Sequence, residues 1–176
     1  YYTKAFEDKG TTIRIVWIDT APMMDKYRND SATYPDACKQ DLQKQLAWID
    51  SVLANAKEDW IIVAGHHPIY AETPKDDSER LDMQKRLDPI LRKHKVDMYI
   101  CGHIHNFQHI RKAGSNIDYV VNSAGSLARK VKPTEGTVFC SPEPGFSIIS
   151  ADKKTLTLRM IDKKGNILHT VTRNSQ

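Results

Sequence analysis

The histidines are the residues of this chain whose types and spacing promise chemistry. Gly65-His66-His67-Pro68 and Gly102-His103-Ile104-His105-Asn106 each follow a short apolar run. Folding would therefore gather three or four imidazoles where two strands end. Neutral imidazole is the commonest side-chain ligand for zinc, iron and related ions at neutral pH, and a glycine before it lets the backbone turn tightly. His103 and His105 stand two residues apart, so in an extended segment both rings point one way, toward one centre or two adjacent ones. His66 is a third candidate ligand. His67 has two readings: a donor or phosphate contact beside the metal, or an aromatic-sized wall. His94, at the end of an expected helix whose dipole favours a partly charged ring, is read as structural, as are His109 and His169 in strand-like segments.

The elements that must position these rings are legible around them. Trp60-Ile61-Ile62-Val63-Ala64 and Val96-Asp97-Met98-Tyr99-Ile100-Cys101 are short, β-branched and aromatic, the pattern of buried parallel strands. Ligands would gather at their carboxyl ends, the edge where sites form in open α/β sheets. A strand is expected over 12–19, then a polar loop through Pro35, then an amphipathic helix over 39–57 in which Leu42, Leu46, Ile49 and Leu53 recur at three- and four-residue steps. Asp76 and Glu79 have the spacing of a capping box, and Asp88-Pro89 reads as the restart of a helix ending near His94. From Asn106 onward helical signals vanish. Strands are expected over 107–111, 118–122, 146–151, 155–161 and 166–172, with turns at Gly114-Ser115, Asp152-Lys153-Lys154 and Lys163-Lys164-Gly165. The shift from alternating strands and helices to consecutive strands predicts an α/β fold: a mixed sheet with helices, then an antiparallel meander as a second layer.

At these residues the chain resembles the purple acid phosphatases, and most closely the small tartrate-resistant type, within the dinuclear metallophosphoesterases. The resemblance covers Gln45-Leu46-Ala47-Trp48-Ile49, then 58–70 and 94–106. Gly-His-x-Pro followed by Gly-His-x-His-Asn, in this order and on strands, is a specific signature, whereas either motif alone would be weak. The resemblance implies that residues 1–176 are the C-terminal portion of a single catalytic domain, the C-terminal half of a four-layer α-β-β-α sandwich. It implies that His66 and His103 ligate the more exchangeable divalent metal and His105 the ferric ion of a centre of Fe with Fe, Zn or Mn, and that His67 is catalytic. The reaction implied is hydrolysis of a phosphate monoester by a metal-bound hydroxide, with phosphodiester or nucleotide hydrolysis, or a non-catalytic module with a partial metal site, as alternatives. The family's remaining ligands, aspartates in Asp-x-Gly and Gly-Asp motifs, a tyrosine and an asparagine in Gly-Asn-His, come from an upstream half. That half of the domain is thus an expected partner, and this chain is expected to be inactive alone. Asp19 resembles a non-ligating strand-end aspartate of the family. Where the small mammalian-type enzymes place a further histidine about nine residues beyond the ligand, this chain has Ala71 to Asp77. Lys75 in that stretch has two readings, a charge for phosphate or an exposed loop lysine. The resemblance leans toward a secreted, periplasmic or lysosomal-type compartment.

Composition sets further bounds. No apolar run approaches the ~20 residues that cross a bilayer, so no membrane span is expected. The formal charge of +4 has no long basic block behind it; the densest patch, Arg129-Lys130-Val131-Lys132, reads as solvated surface rather than a nucleic-acid contact. Three cysteines cannot all pair within the chain. Cys101 reads as a packed free thiol, while Cys38 and Cys140 are left either bridged or free. Asn29-Asp30-Ser31 matches a glycosylation sequon.

Overall fold

Two sheets and one layer of helices build the molecule, whose computed structural model describes residues 1–122 and 125–175. Strands β1 (Tyr2–Asp8) and β2 (Thr11–Trp17) form an antiparallel hairpin whose turn, Lys9-Gly10, has both φ angles positive. β3 (Trp60–Ala64) and β4 (Met98–Cys101) follow β2 in parallel, with Val16 opposite Val63 and Val63 opposite Tyr99. β5 (Phe107–Ile110), β6 (Asp118–Asn122) and β7 (Thr137–Ser141) complete the sheet in the order β1-β2-β3-β4-β6-β5-β7, with β6 parallel to β4 and β5 antiparallel to both its neighbours. The second sheet is a meander of β8 (Gly145–Ala151), β9 (Thr155–Asp162) and β10 (Ile167–Asn174), ordered β10-β9-β8.

The alternation of side chains along each central strand decides which layer it faces. Ile61, Val63, Tyr99, Cys101, Tyr119 and Val121 point to the helices, where they meet Leu42, Ile49, Leu53, Met83, Leu87 and Leu91. Trp60, Ile62, Met98 and Val120 point the other way, onto Leu156, Leu158, Met160 and Val171 of the second sheet. Because both faces of the central strands are covered, they read in sequence as continuous apolar runs.

Among the described residues five α-helices lie between β2 and β4: α1 (Asp25–Arg28), α2 (Pro35–Lys39), α3 (Leu42–Asn55), α4 (Ser78–Arg86) and α5 (Asp88–Lys93). The expected helix over 39–57 is α3, which starts three residues later and ends two earlier, Lys39 closing the separate helix α2. The chain leaves helical geometry at Gln40, and Asp41 caps α3 by accepting a hydrogen bond from Lys44 N at 2.9 Å. The capping box at Asp76 and Glu79 does not form. Asp76 accepts from Ser78 N at 2.8 Å, and Glu79 turns its carboxylate elsewhere. Pro89 does restart a helix, in the first turn of α5. The meander is shorter than expected: β5 and β6 belong to the first sheet, and only β8 to β10 form the second layer. β7 went unread because Thr137–Ser141 follows a long polar stretch.

A buried ionic network ties the two sheets together. Asp118, fully buried on β6, accepts from His109 Nε2 at 2.7 Å, Arg111 Nε at 2.6 Å and Arg173 Nη1 at 2.9 Å. His109 Nδ1 lies 2.9 Å from His169 Nε2, so β5, β6 and β10 are joined side chain to side chain. Burial raises the Asp118 carboxyl pKa, but these three hydrogen bonds outweigh it and hold the group at about 2. His94 is likewise structural, with Nε2 2.8 Å from Asp50 Oδ1. All three cysteines are free thiols, so Cys38 and Cys140 are not bridged. No helix among the described residues is long and apolar enough to cross a membrane.

Candidate metal centre

The two histidine loops leave the sheet side by side. Gly65 N donates to Ile100 O and Gly102 N to His66 O, both at 3.0 Å, which carries the β3–β4 pairing past the strands and locks the loops in register. Gly65 must be glycine for space: a Cβ there would lie 2.7 Å from Thr20 Cγ2 and 2.8 Å from Tyr99 Oη. Beyond Gly102 the backbone is forced. Ile104 N donates to Gly102 O at 2.8 Å around His103, whose φ is +71°, and His105 has φ +63°. A left-handed φ costs a non-glycine residue about 1–2 kcal/mol. Both residues carrying it are candidate ligands.

The result is a cluster of His66, His67 and His103, whose ligand-capable nitrogens all lie within 4.8 Å of one another. His66 Nε2 and His103 Nδ1 face each other at 3.1 Å. Two nitrogens bound to one tetrahedral zinc ion at about 2.0–2.1 Å each would stand about 3.3 Å apart, so this pair fits a shared ion. Burial holds the imidazolium form down in both rings; Glu79 pulls the other way, Lys75 depresses it further, and the net shift is downward. Burial, then the neighbouring His103 and His66, lowers His67 to about 3. All three rings are therefore neutral at pH 7, the state a ligand needs.

His67 is held more tightly than the others. Thr20 Oγ1 lies 2.7 Å from its Nδ1 and accepts from its backbone N–H at 3.3 Å. Its Nε2 lies 3.4 Å from Tyr27 Oη. Tyr99 fixes the loop beneath by donating to His67 O at 2.7 Å. His105, half-buried, lies outside the group of three. It is near enough for its charge to bear on His66, and its carbonyl accepts from Arg129 N at 2.8 Å. Asp19 is also outside: it accepts from Gln40 Nε2 at 2.8 Å and from Ala21 N at 3.2 Å, stapling the loop after β2.

Three charged groups border the rings. Lys75 Nζ lies 3.1 Å from His103 Nε2, so the loop lysine belongs to the site. Glu79, buried in the first turn of α4, has Oε2 2.9 Å from the same Nε2. Its Oε1 accepts from Lys26 Nζ at 2.8 Å and Tyr27 Oη at 2.9 Å. Burial raises the Glu79 pKa, but the bonds from Lys26 and Tyr27 prevail and hold it at about 2. Lys26, Tyr27, Thr20 and Glu79 escaped sequence reasoning. The spacing signal at Glu79 was real but pointed to a helix cap. With one carboxylate against two ammonium groups and neutral rings, the pocket rim is net positive and suited to a phosphate oxygen.

Comparison with known proteins relates the chain to phosphoesterases. The chain is 30% identical to mouse tartrate-resistant acid phosphatase type 5 over 183 residues, covering 96% of this chain and 55% of that protein. It is 28% identical to purple acid phosphatase 3 of Arabidopsis thaliana, covering 94% of this chain and 48% of the other. The chain thus spans about half the length of the curated relatives it matches. Among solved structures, GAP50, the anchor in the inner membrane complex of Plasmodium, superposes with a TM-score of 0.79 at 21% identity, covering 99% of this chain and 54% of that one. The purple acid phosphatase PPD1 from yellow lupin seeds gives 0.65 at 19% identity, covering 97% and 32%. At those identities the two structures establish the fold alone. The family model for calcineurin-like phosphoesterases matches residues 6–107, the stretch that holds β2 to β4 and both histidine loops, and by that match this chain belongs to the calcineurin-like phosphoesterase family.

Proposed function

We propose that the protein is a metal-dependent phosphate-monoester hydrolase of acid phosphatase type, to which this chain contributes the histidine side of a dinuclear centre. The observation that carries the reading is the convergence of His66 Nε2 and His103 Nδ1, 3.1 Å apart, at the carboxyl ends of adjacent parallel strands. On this reading His66 and His103 hold a divalent ion, His105 holds a neighbouring ferric ion, and the upstream half of the same domain supplies the remaining ligands. The bound ions would contribute Lewis-acid polarisation of the phosphoryl group and a nucleophile activated near neutral pH.

The other parts of the reaction fall to side chains of this chain. Neutral imidazoles leave the positive charge of the ions uncompensated, which offsets the charge that builds on the phosphoryl oxygens. His67 serves as a neutral donor. In this role its proton sits on Nε2, whose contact with Tyr27 is long, and a ring that protonates near 3 donates without carrying charge at working pH. Lys75 and Lys26 add a positive rim that draws the dianion in.

The test is hydrolysis of a chromogenic phosphate monoester by the full-length protein supplied with iron, zinc or manganese. Turnover of the monoester ahead of the diester, lost together with bound metal in His66→Ala and His103→Ala, is the expected result; no turnover with any of the three metals would refute it. Faster diester or nucleotide cleavage would move the reading to a phosphodiesterase or nucleotidase. A second reading, a module that keeps its histidines without catalysis, is favoured by Lys75, whose ammonium lies against a ring meant for a metal. It predicts unchanged function of the full-length protein when His103 is replaced by alanine.

A further inference from the structure

Glu79 has no part in the chemistry above, yet it is the best-held charged group of the site. It is 7% exposed, and both its oxygens are engaged, Oε1 by Lys26 and Tyr27 and Oε2 toward His103 Nε2 at 2.9 Å. A carboxylate can only accept, and a neutral imidazole has a single proton to give. With that proton on Nε2, His103 Nδ1 is bare and its lone pair faces His66 Nε2. We infer that Glu79 is a positioning residue that fixes the tautomer and ring plane of His103, so that a metal ion is bound through Nδ1. The inference rests on the metal reading of His66 and His103.

Lys75 makes the opposite demand on the same nitrogen. Its ammonium, 3.1 Å from Nε2, has only protons to offer and would be satisfied by a bare Nε2. The ring proton would then move to Nδ1, point at His66 Nε2 and close the space between the two rings. Mobility decides between them. Lys75 is exposed on a loop and can withdraw into water, while Glu79 is buried on a helix and tethered by two donors. Moving the proton would also press the Nε2 lone pair against Oε2 at 2.9 Å with no room for the carboxylate to retreat. Glu79 therefore wins, and Lys75 is a displaceable neighbour. A carboxylate behind a ligating histidine also raises the basicity of the other nitrogen, and losing such a partner typically costs about 10–100-fold in metal affinity.

The tautomer is read by nitrogen NMR of labelled histidine in the metal-free full chain, and the affinity by zinc titration against a competing chelator. In the wild type His103 is expected to carry its proton on Nε2, and Lys75→Ala leaves that unchanged. Glu79→Ala loses the preference and weakens zinc binding by about 10–100-fold. Glu79→Gln, which keeps the shape and an acceptor oxygen, restores part of both. A wild-type ring protonated on Nδ1, or a Glu79→Ala protein that folds and binds zinc as tightly as the wild type, overturns the assignment. Failure of the wild type to bind zinc, iron and manganese alike sinks the phosphatase reading instead, and the nitrogen shifts still decide the role of Glu79.

Discussion

Replacing Asp118 by asparagine should test whether the buried network holds the two sheets together. The substitution keeps volume and one acceptor but removes the charge that Arg111, Arg173 and His109 share. Breaking a buried pair from one side costs about 3–5 kcal/mol. The low end applies, because Arg111 is half exposed and can turn to water, whereas Arg173 keeps its contact with Asp97 at 3.2 Å. A loss of about 3 kcal/mol corresponds to a urea midpoint lower by about 1–1.5 M at a typical slope. The pH dependence gives a second reading of the same contact. The carboxyl is held at about 2 against an ordinary value of 3.8, which is worth about 2 kcal/mol of stability. Because the folded pKa is depressed, that contribution is fully present above pH ~4 and is lost as pH falls through ~2. Urea unfolding followed by tryptophan fluorescence, wild type against Asp118→Asn across that range, should show a gap that is constant above pH ~4.5 and narrows below it. A gap under about 1 kcal/mol near neutral pH, or one independent of pH down to 2, would show that the network contributes little.

Two further outcomes follow from packing around the strands. Gly65→Ala places a methyl group against Thr20 Cγ2 and Tyr99 Oη; it should lower stability by about 1–3 kcal/mol and, by shifting the first loop, reduce metal uptake measured by elemental analysis, whereas wild-type metal content would show that the contact relaxes freely. Cys101 is buried on β4, and burial pushes its thiol pKa far up. It should resist alkylation in the folded protein and react only at the rate of unfolding; labelling of Cys101 in native buffer as fast as in denaturant would contradict this.

What the sequence disclosed and what it withheld divide along contact range. The parallel strands were legible because burial on both faces writes an uninterrupted apolar run at 60–64 and 96–101, and the pairing of His66 with His103 followed from two local motifs placed at neighbouring strand ends. The start of α3 was set three residues early because the spacing of Leu42 to Leu53 marks the helix but not its first residue, which only the Asp41 cap fixes. Glu79 was misread for a related reason. A glutamate three residues after an aspartate has a local use at a helix start, and nothing nearby announces that its partners are Lys26, Tyr27 and His103, from 24 to 53 residues away. The Asp118 network lay beyond sequence reasoning too, since Arg173 approaches from 55 residues downstream on another sheet.

The left-handed backbone at His103 and His105 has a consequence for how this chain can change over time. Glycine would relieve the conformational penalty at either position, about 1–2 kcal/mol, but only by giving up the ring and, at position 103, its contact with Glu79. Any other residue keeps the backbone cost and loses the ring as well. Histidine at both positions therefore narrows the substitutions that the two loops accept, a constraint set by the backbone before any ion is considered.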